Sequence, residues 1–352
     1  MTPPKIALEI LRETVAAAKE YGSIAEAADA LGVNRSTFDS RYRRALIALK
    51  DEKADNAVDE KDLELPVFPD DDIPVEQILD TMEKRYQKRQ TANRARKWFE
   101  IKINTASPVC INFVGDPHVD SNGCNIPLLR RDVGLMASAN NFCVNLGDTT
   151  DGDWPGRLMK LHAQSDQSIT TARRLADRFL NQSGLKFLAI LIGNHDAWGE
   201  GAEILRRMNI KQIPMLDWTA RFKVRFSNDR ELKIIASHDF PGHSWINPLH
   251  SNQRREMVEE ADIYASGHKH QWGIVQGENG YRETCYSLIR ARGYKYLDQH
   301  AETIGVGIQQ LGATISAIID PTARNEAQFV QCFPDVGEAS EFLKWKVAKN
   351  EH

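Results

Sequence analysis

The sequence predicts an α/β protein preceded by a small all-α unit. Two observations carry this. From residue 108 to about 330, short apolar runs alternate with longer amphipathic stretches, the pattern of strands joined by helices. The first 50 residues instead show helical spacing throughout, interrupted by glycines at 22 and 32. A chain of 352 residues has room for roughly two domains of about 150 residues each. The expected organisation is a helical module over 1–50, an acidic linker over 51–80 and a basic helical connector over 81–107. A catalytic α/β domain over 108–335 and a closing amphipathic helix over 336–352 complete it.

Composition narrows the class. The formal net charge of −4 gives no global basic signature, so any contact with nucleic acid must come from a local patch. The five cysteines include no Cys-x-x-Cys pair, which argues against a disulfide framework or a zinc ribbon and fits a reducing cytoplasm. The start, "MTPPKIALEI", lacks the apolar core of a signal peptide. No apolar run approaches the ~20 residues that cross a bilayer. The expectation is a cytoplasmic protein with no membrane partner.

In the first unit, "PPKIALEILRETVAAAKEYG" has helical periodicity and a glycine stop. Ser23 can cap the next helix, with Glu26 at capping-box spacing. Gly32 permits a tight turn, and Asn34 or Ser36 can cap a helix from about Arg35 to Leu49. The stretch "AADALGVNRST" resembles a helix-turn-helix module. That resemblance implies that the second helix enters a DNA groove, with Arg35, Ser36, Thr37, Arg41 and Arg44 as candidate contacts. A small helical module for protein contacts is the alternative. Residues 51–80 are acidic and contain three prolines, the composition of a partly disordered linker. Residues 84–97, "KRYQKRQTANRARK", lack Gly and Pro and predict a helix with a positive face, which is either solvated or a contact for nucleic acid.

The chemistry collects at the ends of the apolar runs. "PVCINFVGDPHVD" ends in Asp116-Pro117-His118, "NNFCVNLGDTTD" in Asp148 to Asp151, and "KFLAILIGNHD" in Asn194-His195-Asp196. "ELKIIASHDF" ends in His238, and "ADIYASGHKHQ" in His268-Lys269-His270. "KFLAILI" reads as a strand buried on both faces, although periodicity alone does not exclude a buried helix. Gly193 then lets the chain turn sharply and a ligand come close. The exits lie roughly 30–46 residues apart, enough for one βαβ-type crossover each. In open α/β sheets, chemistry gathers outside the carboxyl ends of strands.

The ordered set D-x-H, G-D-x-x-D, G-N-H-D, H, G-H-x-H resembles the calcineurin-like metallophosphoesterases over about residues 108–320. The resemblance implies a four-layer αββα sandwich with two metals at the strand ends. It implies that Asp116, His118 and His270 hold the first metal and that Asp148 bridges both. Asn194, His238 and His268 would then hold the second. Mixed imidazole and oxygen donors suit Mn²⁺, Fe or Zn²⁺ without choosing among them, and the expected metal is Mn²⁺, with Fe or Zn²⁺ as alternatives. His195 resembles the catalytic histidine of the family, which contacts a non-bridging oxygen or protonates the leaving oxygen. Asp151 would orient it, with Asp196 as the local alternative. The implied chemistry is in-line attack on phosphorus by a metal-bound hydroxide.

The arginine that follows G-D-x-x-D in the protein Ser/Thr phosphatases is absent, since Gly152-Asp153 stands there, and this disfavours that class. Arg290, Arg292 and Lys295 in "RARGYKY" are candidates for gripping the substrate phosphate, or plain surface charges. Three functions follow. The first is a phosphodiesterase acting on nucleic acid. The second is a phosphoesterase of nucleotides, cyclic nucleotides or monoesters whose helical module serves only targeting. The third is a DNA-binding regulator with an inactive phosphoesterase domain. His243 and His250 fall in loop stretches.

Overall fold

The computed structural model describes residues 7–54, 63–66, 72–152, 168–244, 246–296 and 309–350. The chain divides into two compact units at residues 78 and 79. Residues 55–62 and 67–71 of the acidic linker, and Asp153, lie outside the described residues.

Three helices build the first unit: α1 (Leu8–Glu20), α2 (Ile24–Ala30) and α3 (Arg35–Ala54). Ser23 caps α2 by accepting from the Glu26 N–H at 3.3 Å, while its hydroxyl donates to the Glu26 carboxylate at 2.8 Å. Asn34, not Ser36, caps α3: its Oδ1 accepts from the Thr37 N–H at 2.8 Å and from the Ser36 hydroxyl at 2.9 Å. Gly32 takes a φ of +62° in the turn between α2 and α3, which a side chain would strain. Ala17, Ala27, Ala28 and Phe38 form the small core, with Ile24, Leu31, Val33 and Tyr42 packed on it. α3 runs five residues past the expected Leu49.

Helix α4 (Val75–Lys97) carries the basic run, and its described side chains are exposed almost throughout. The connector then becomes a strand. β1 (Phe99–Ile103) pairs in parallel with β6 (Thr219–Phe226), so the sheet begins before residue 108.

The larger unit holds two six-stranded mixed sheets. One runs β12 (Val330–Phe333), β11 (Thr314–Ile319), β2 (Val109–Val114), β3 (Asn141–Asn145), β4 (Phe187–Leu191) and β5 (Met215–Leu216). The other runs β1, β6, β7 (Glu231–Ser237), β8 (Ile263–Ser266), β10 (Thr284–Arg290) and β9 (Gly273–Asn279). Between them lies a core that includes Ile111, Phe113, Val144 and Leu188 from the first sheet and Phe222, Val224, Ile234 and Ala265 from the second. Both faces of β2 and β4 are buried, which explains their unbroken apolar runs.

Helices cover the outer faces. On the first sheet lie α5 (Ile126–Met136), α6 (Ile169–Asp177) with the π-turn Arg178–Gln182 that continues it, and α7 (Gly201–Met208). α8 (His250–Val258), which His250 opens, lies against the second sheet, where Asn252 donates to the carbonyls of Tyr264 and Ile289. A short α9 (Glu326–Phe329) precedes β12, and α10 (Val336–Asn350) sets Ala339 and Leu343 on Cys110 and Ile318. The order is therefore helix, sheet, sheet, helix.

Strands β2, β3, β4 and β5 are mutually parallel, as are β7, β8 and β10, so each group delivers its exits to one end of its sheet. One expectation needs correction. The chain does not pass from β4 to β7 by a βαβ crossover; it leaves the first sheet and enters the second through the antiparallel pair β6–β7. The gap between Asn194 and His238 is wide enough for either route, and only tertiary pairing decides.

Phe222 is fully buried between the sheets and stacks on Phe99 with ring centroids 5.5 Å apart. Phe222→Ala should cost about 3–5 kcal/mol. A fall in the denaturant midpoint at unchanged slope would register it, and a loss under about 1 kcal/mol would mean that the inter-sheet core is looser than its burial indicates.

Candidate metal centre

The five strand exits converge. His238 Nδ1 donates to the Leu146 carbonyl at 2.9 Å, which aims Nε2 at Asn194 Oδ1, 2.9 Å away, and at Asp148 Oδ2, 3.4 Å away. Asp148, His238 and His268 offer ligand atoms all within 4.8 Å of one another. The other half gathers around His118. Its Nε2 lies 4.0 Å from the same Asp148 Oδ2, its ring centroid is 5.4 Å from that of His270, and His270 Nε2 lies 3.7 Å from Asp116 Oδ2. Asp148 Oδ2 thus faces both halves, while its Oδ1 accepts from the His195 backbone N–H at 2.9 Å. All seven residues expected as metal ligands meet at one rim.

The donor set fits divalent cations. Asp116 Oδ1 and His118 Nε2 are buried and find no hydrogen-bond partner among the described residues. Such atoms are costly unless something satisfies them. The carbonyl behind His238 Nδ1 is the support that metal-binding imidazoles ordinarily have.

Electrostatics point the same way. Burial alone would depress the His118 and His238 pKa values. The carboxylates of Asp151 and Asp148 outweigh it at His118, those of Asp148 and Asp116 at His238, and both groups rise to about 9. Burial pushes Asp116 up to about 7. Burial would also raise Asp148, but His238 beside it holds its carboxyl well below the usual range. Without metal, protons supply the positive charge that these carboxylates require.

Backbone strain marks the same place. Eight non-glycine residues among those described have positive φ, and four of them are His118, Asp148, His268 and His270. Each left-handed residue costs about 1–2 kcal/mol, and such positions cluster where geometry serves function. Gly193 has a specific task. A Cβ there would stand 2.1 Å from Asp148 Oδ1, so the glycine admits the carboxylate itself, whereas the sequence suggested only room for a ligand.

Asp151 is placed differently from expectation. It holds His195 through its backbone carbonyl, 3.1 Å from Nδ1, rather than through its carboxylate, whose nearer oxygen is 3.8 Å from that nitrogen. The carboxylate stands 2.6 Å from His118 Nδ1 and accepts from Lys295 Nζ at 3.2 and 3.3 Å. A carbonyl only accepts, so Nδ1 carries the proton, and in the neutral ring Nε2 does not. Asp196 does not touch the ring. It accepts from the N–H groups of Thr149, Thr150 and Gly193 and ties two exit loops together.

Of the three phosphate candidates, Arg290 is committed to the protein. It is 3% exposed and donates to the Gly267 carbonyl, the Asp239 carboxylate and the Ser251 hydroxyl. Lys295 lies at the rim on Asp151, and Arg292 is buried nearby. In the helical unit, Arg35 and Ser36 are exposed, and Thr37, Arg41 and Arg44 are half-buried.

Sequence reasoning missed three neighbours. Asp120 accepts from the Asp151 N–H at 2.7 Å and was legible only as a further step of the alternation Asp116, His118, Asp120. Trp198 and Trp218 flank the rim, with ring centroids 4.3 Å from His195 and 5.0 Å from His238, and no local pattern signals either.

No protein-family model matches the chain, and no curated protein matches it. Among solved structures, it is similar to Vacuolar Protein Sorting 29 from Cryptosporidium parvum at 12% identity and a TM-score of 0.35, covering 60% of this chain and 86% of that one. It is also similar to the calcineurin-like phosphoesterase YfkN from Bacillus subtilis at 13% identity and a TM-score of 0.32, covering 69% and 97%. A conserved protein from Streptococcus pneumoniae, described as a predicted phosphoesterase, matches at 12% identity and a TM-score of 0.30, covering 65% and 99%. Likenesses of this size leave the reading to the residues themselves.

If the cluster holds metal, binding must expel the protons on His118, His238 and Asp116. Those groups keep protons up to about 9, 9 and 7, so metal affinity should climb as pH rises through this window. Adding Mn²⁺ to metal-free protein at pH 7 in dilute buffer should release more than one proton per chain. Binding without proton release would contradict the charge balance described here.

Proposed function

We propose that the chain is a two-metal phosphoesterase of the calcineurin-like type. The observation that carries this is buried Asp148, whose one oxygen, Oδ2, faces His118 on one side and His238 on the other. Asp116, His118 and His270 would hold one cation, Asn194, His238 and His268 the second, and Asp148 both. Such mixed nitrogen and oxygen donors accept Mn²⁺, Fe or Zn²⁺, and Mn²⁺ is the metal proposed. Two bound divalent cations would make water acidic enough to serve as nucleophile and neutralise charge developing on phosphorus.

The remaining residues position and protonate. Asn194 is a neutral donor and limits the negative charge that an incoming phosphate meets. His195 is set by the Asp151 carbonyl behind Nδ1, by its own N–H on Asp148 and by Trp198 against its ring. Burial lowers its pKa, so it is neutral at pH 7 until an anionic substrate arrives. Protonated beside the phosphate, its Nε2 would donate to a phosphate oxygen or to the leaving oxygen. Asp151, braced by Lys295, would keep His118 in register.

A phosphodiester of nucleic acid is the substrate that the rest of the chain favours. Lys84, Arg85, Lys88, Arg89 and Arg94 are exposed on α4 and form no ion pair within the described residues. The helical unit would present Arg35 and Ser36, and from the half-buried positions Arg41 and Arg44, to a phosphate backbone.

With Mn²⁺, His195→Ala should keep both metals and lose about 10²–10⁴-fold in turnover, whereas Asp148→Asn should lose metal and activity together. Metal content by elemental analysis beside the hydrolysis rate separates the two, and near-normal turnover of His195→Ala would place the proton donor elsewhere. A chromogenic diester should be hydrolysed in preference to the matching monoester; the reverse order would point to a phosphatase of nucleotides or polynucleotide ends. At sub-saturating DNA, removing residues 1–50 should weaken turnover on long DNA most at low salt, and an unchanged rate at every salt concentration would assign the helical unit to targeting alone.

A further inference from the structure

Arg292 is a buried cation with no counter-charge among the described residues. The residue is 3% exposed. One terminal nitrogen donates to the Gly293 carbonyl at 3.1 Å, and the other reaches the Lys295 carbonyl at 3.5 Å. The guanidinium stacks 3.7 Å over the Tyr296 ring, and its Nε is buried with no hydrogen-bond partner. No carboxylate among the described residues pairs with it. The two basic neighbours differ in this respect, since Asp239 holds Arg290 and Asp151 holds Lys295. A buried ion without an opposite charge is costly, and a bound anion would offset that cost.

Its position says what visits. Arg292 follows the end of β10, which runs parallel to β8, the strand that delivers His268 and His270. The next residues belong to the rim. A Cβ on Gly293 would stand 2.8 Å from that of Asp116, the Tyr294 N–H donates to the Asp116 carbonyl at 3.1 Å, and Lys295 grips Asp151.

We propose that Arg292 is the counter-charge for the phosphate of the substrate on the His118–His270 side of the centre. Its planar fork presents parallel N–H donors to two phosphate oxygens, and Tyr296 fixes the plane of the fork. This rests on the phosphoesterase reading above. The Tyr296 stack alone would make Arg292 a structural residue, and the experiment must separate the two roles.

The full-length chain loaded with Mn²⁺ would be compared with Arg292→Ala and Arg292→Lys, using inorganic phosphate as a competitor of chromogenic ester hydrolysis. Arg292→Ala should raise the phosphate inhibition constant about 10- to 100-fold, and KM with it, while kcat falls less. Guanidinium ion added at millimolar concentration should restore part of the phosphate affinity of Arg292→Ala and leave the wild type unaffected. Arg292→Lys should lie between the two, because a point charge lacks the fork. Metal content and the unfolding midpoint verify that each variant is folded and loaded; if Arg292→Ala fails there, Arg292→Lys decides alone. An inhibition constant within twofold of wild type in a folded, loaded variant overturns the proposal. A wild-type chain that hydrolyses no phosphoester would instead overturn the reading of the centre itself.

Discussion

Asp148 is the charge on which both halves of the centre close. One oxygen is fixed by the backbone N–H of His195, and the other looks at an imidazole from each sheet-borne group. A single buried carboxylate cannot satisfy two protonated rings and remain cheap to bury. Asp151 and Asp116 share the load as counter-charges to His118 and His238, and the set of donors fits compact positive charge, protons or cations, between the rings and the oxygens. Much else follows: the glycine at 193 that admits the carboxylate, the left-handed backbone at Asp148 itself, and the carbonyl of Leu146 that turns His238 toward it.

The two sheets contribute unequally. The first supplies Asp116, His118, Asp148 and Asn194 from three parallel strands, so these side chains inherit the regular spacing of hydrogen-bonded neighbours. The second supplies His238, His268 and His270 from β7 and β8. Contacts across the gap set the register between them. The His268 N–H donates to Asp116 at 2.7 Å, and a side chain on Gly147 would come within 2.6 Å of His238. A rigid inter-sheet core is therefore a requirement of the chemistry as well as of stability.

The seven candidate ligands were legible because strand exits write their chemistry locally: an apolar run, a glycine, then Asp, Asn or His. What could not be read depends on partners distant in the chain. Arg290 and Arg292 differ by two positions and look equivalent in "RARGYKY", yet α8 brings Ser251 to one of them and nothing of the kind to the other. Whether Asp151 would hold His195 by carboxylate or carbonyl turns on a loop conformation that residue types do not encode. β1 was hidden because "FEIKI" alternates half-buried and exposed positions beside a strongly basic helix, and its partner β6 lies about 120 residues on.

Strand β2, which leads into Asp116 and His118, is flanked by β3 on one side and by β11 on the other. Ser316 of β11 hydrogen-bonds to Asn112 across 204 residues of chain, and α10 then seals the outer face at Cys110. A ribosome must therefore release some two hundred residues beyond the first ligand before that ligand acquires its rigid setting. Until then, the imidazoles and carboxylates hang on separate, unpaired segments, and a nascent chain lacks the assembled cluster.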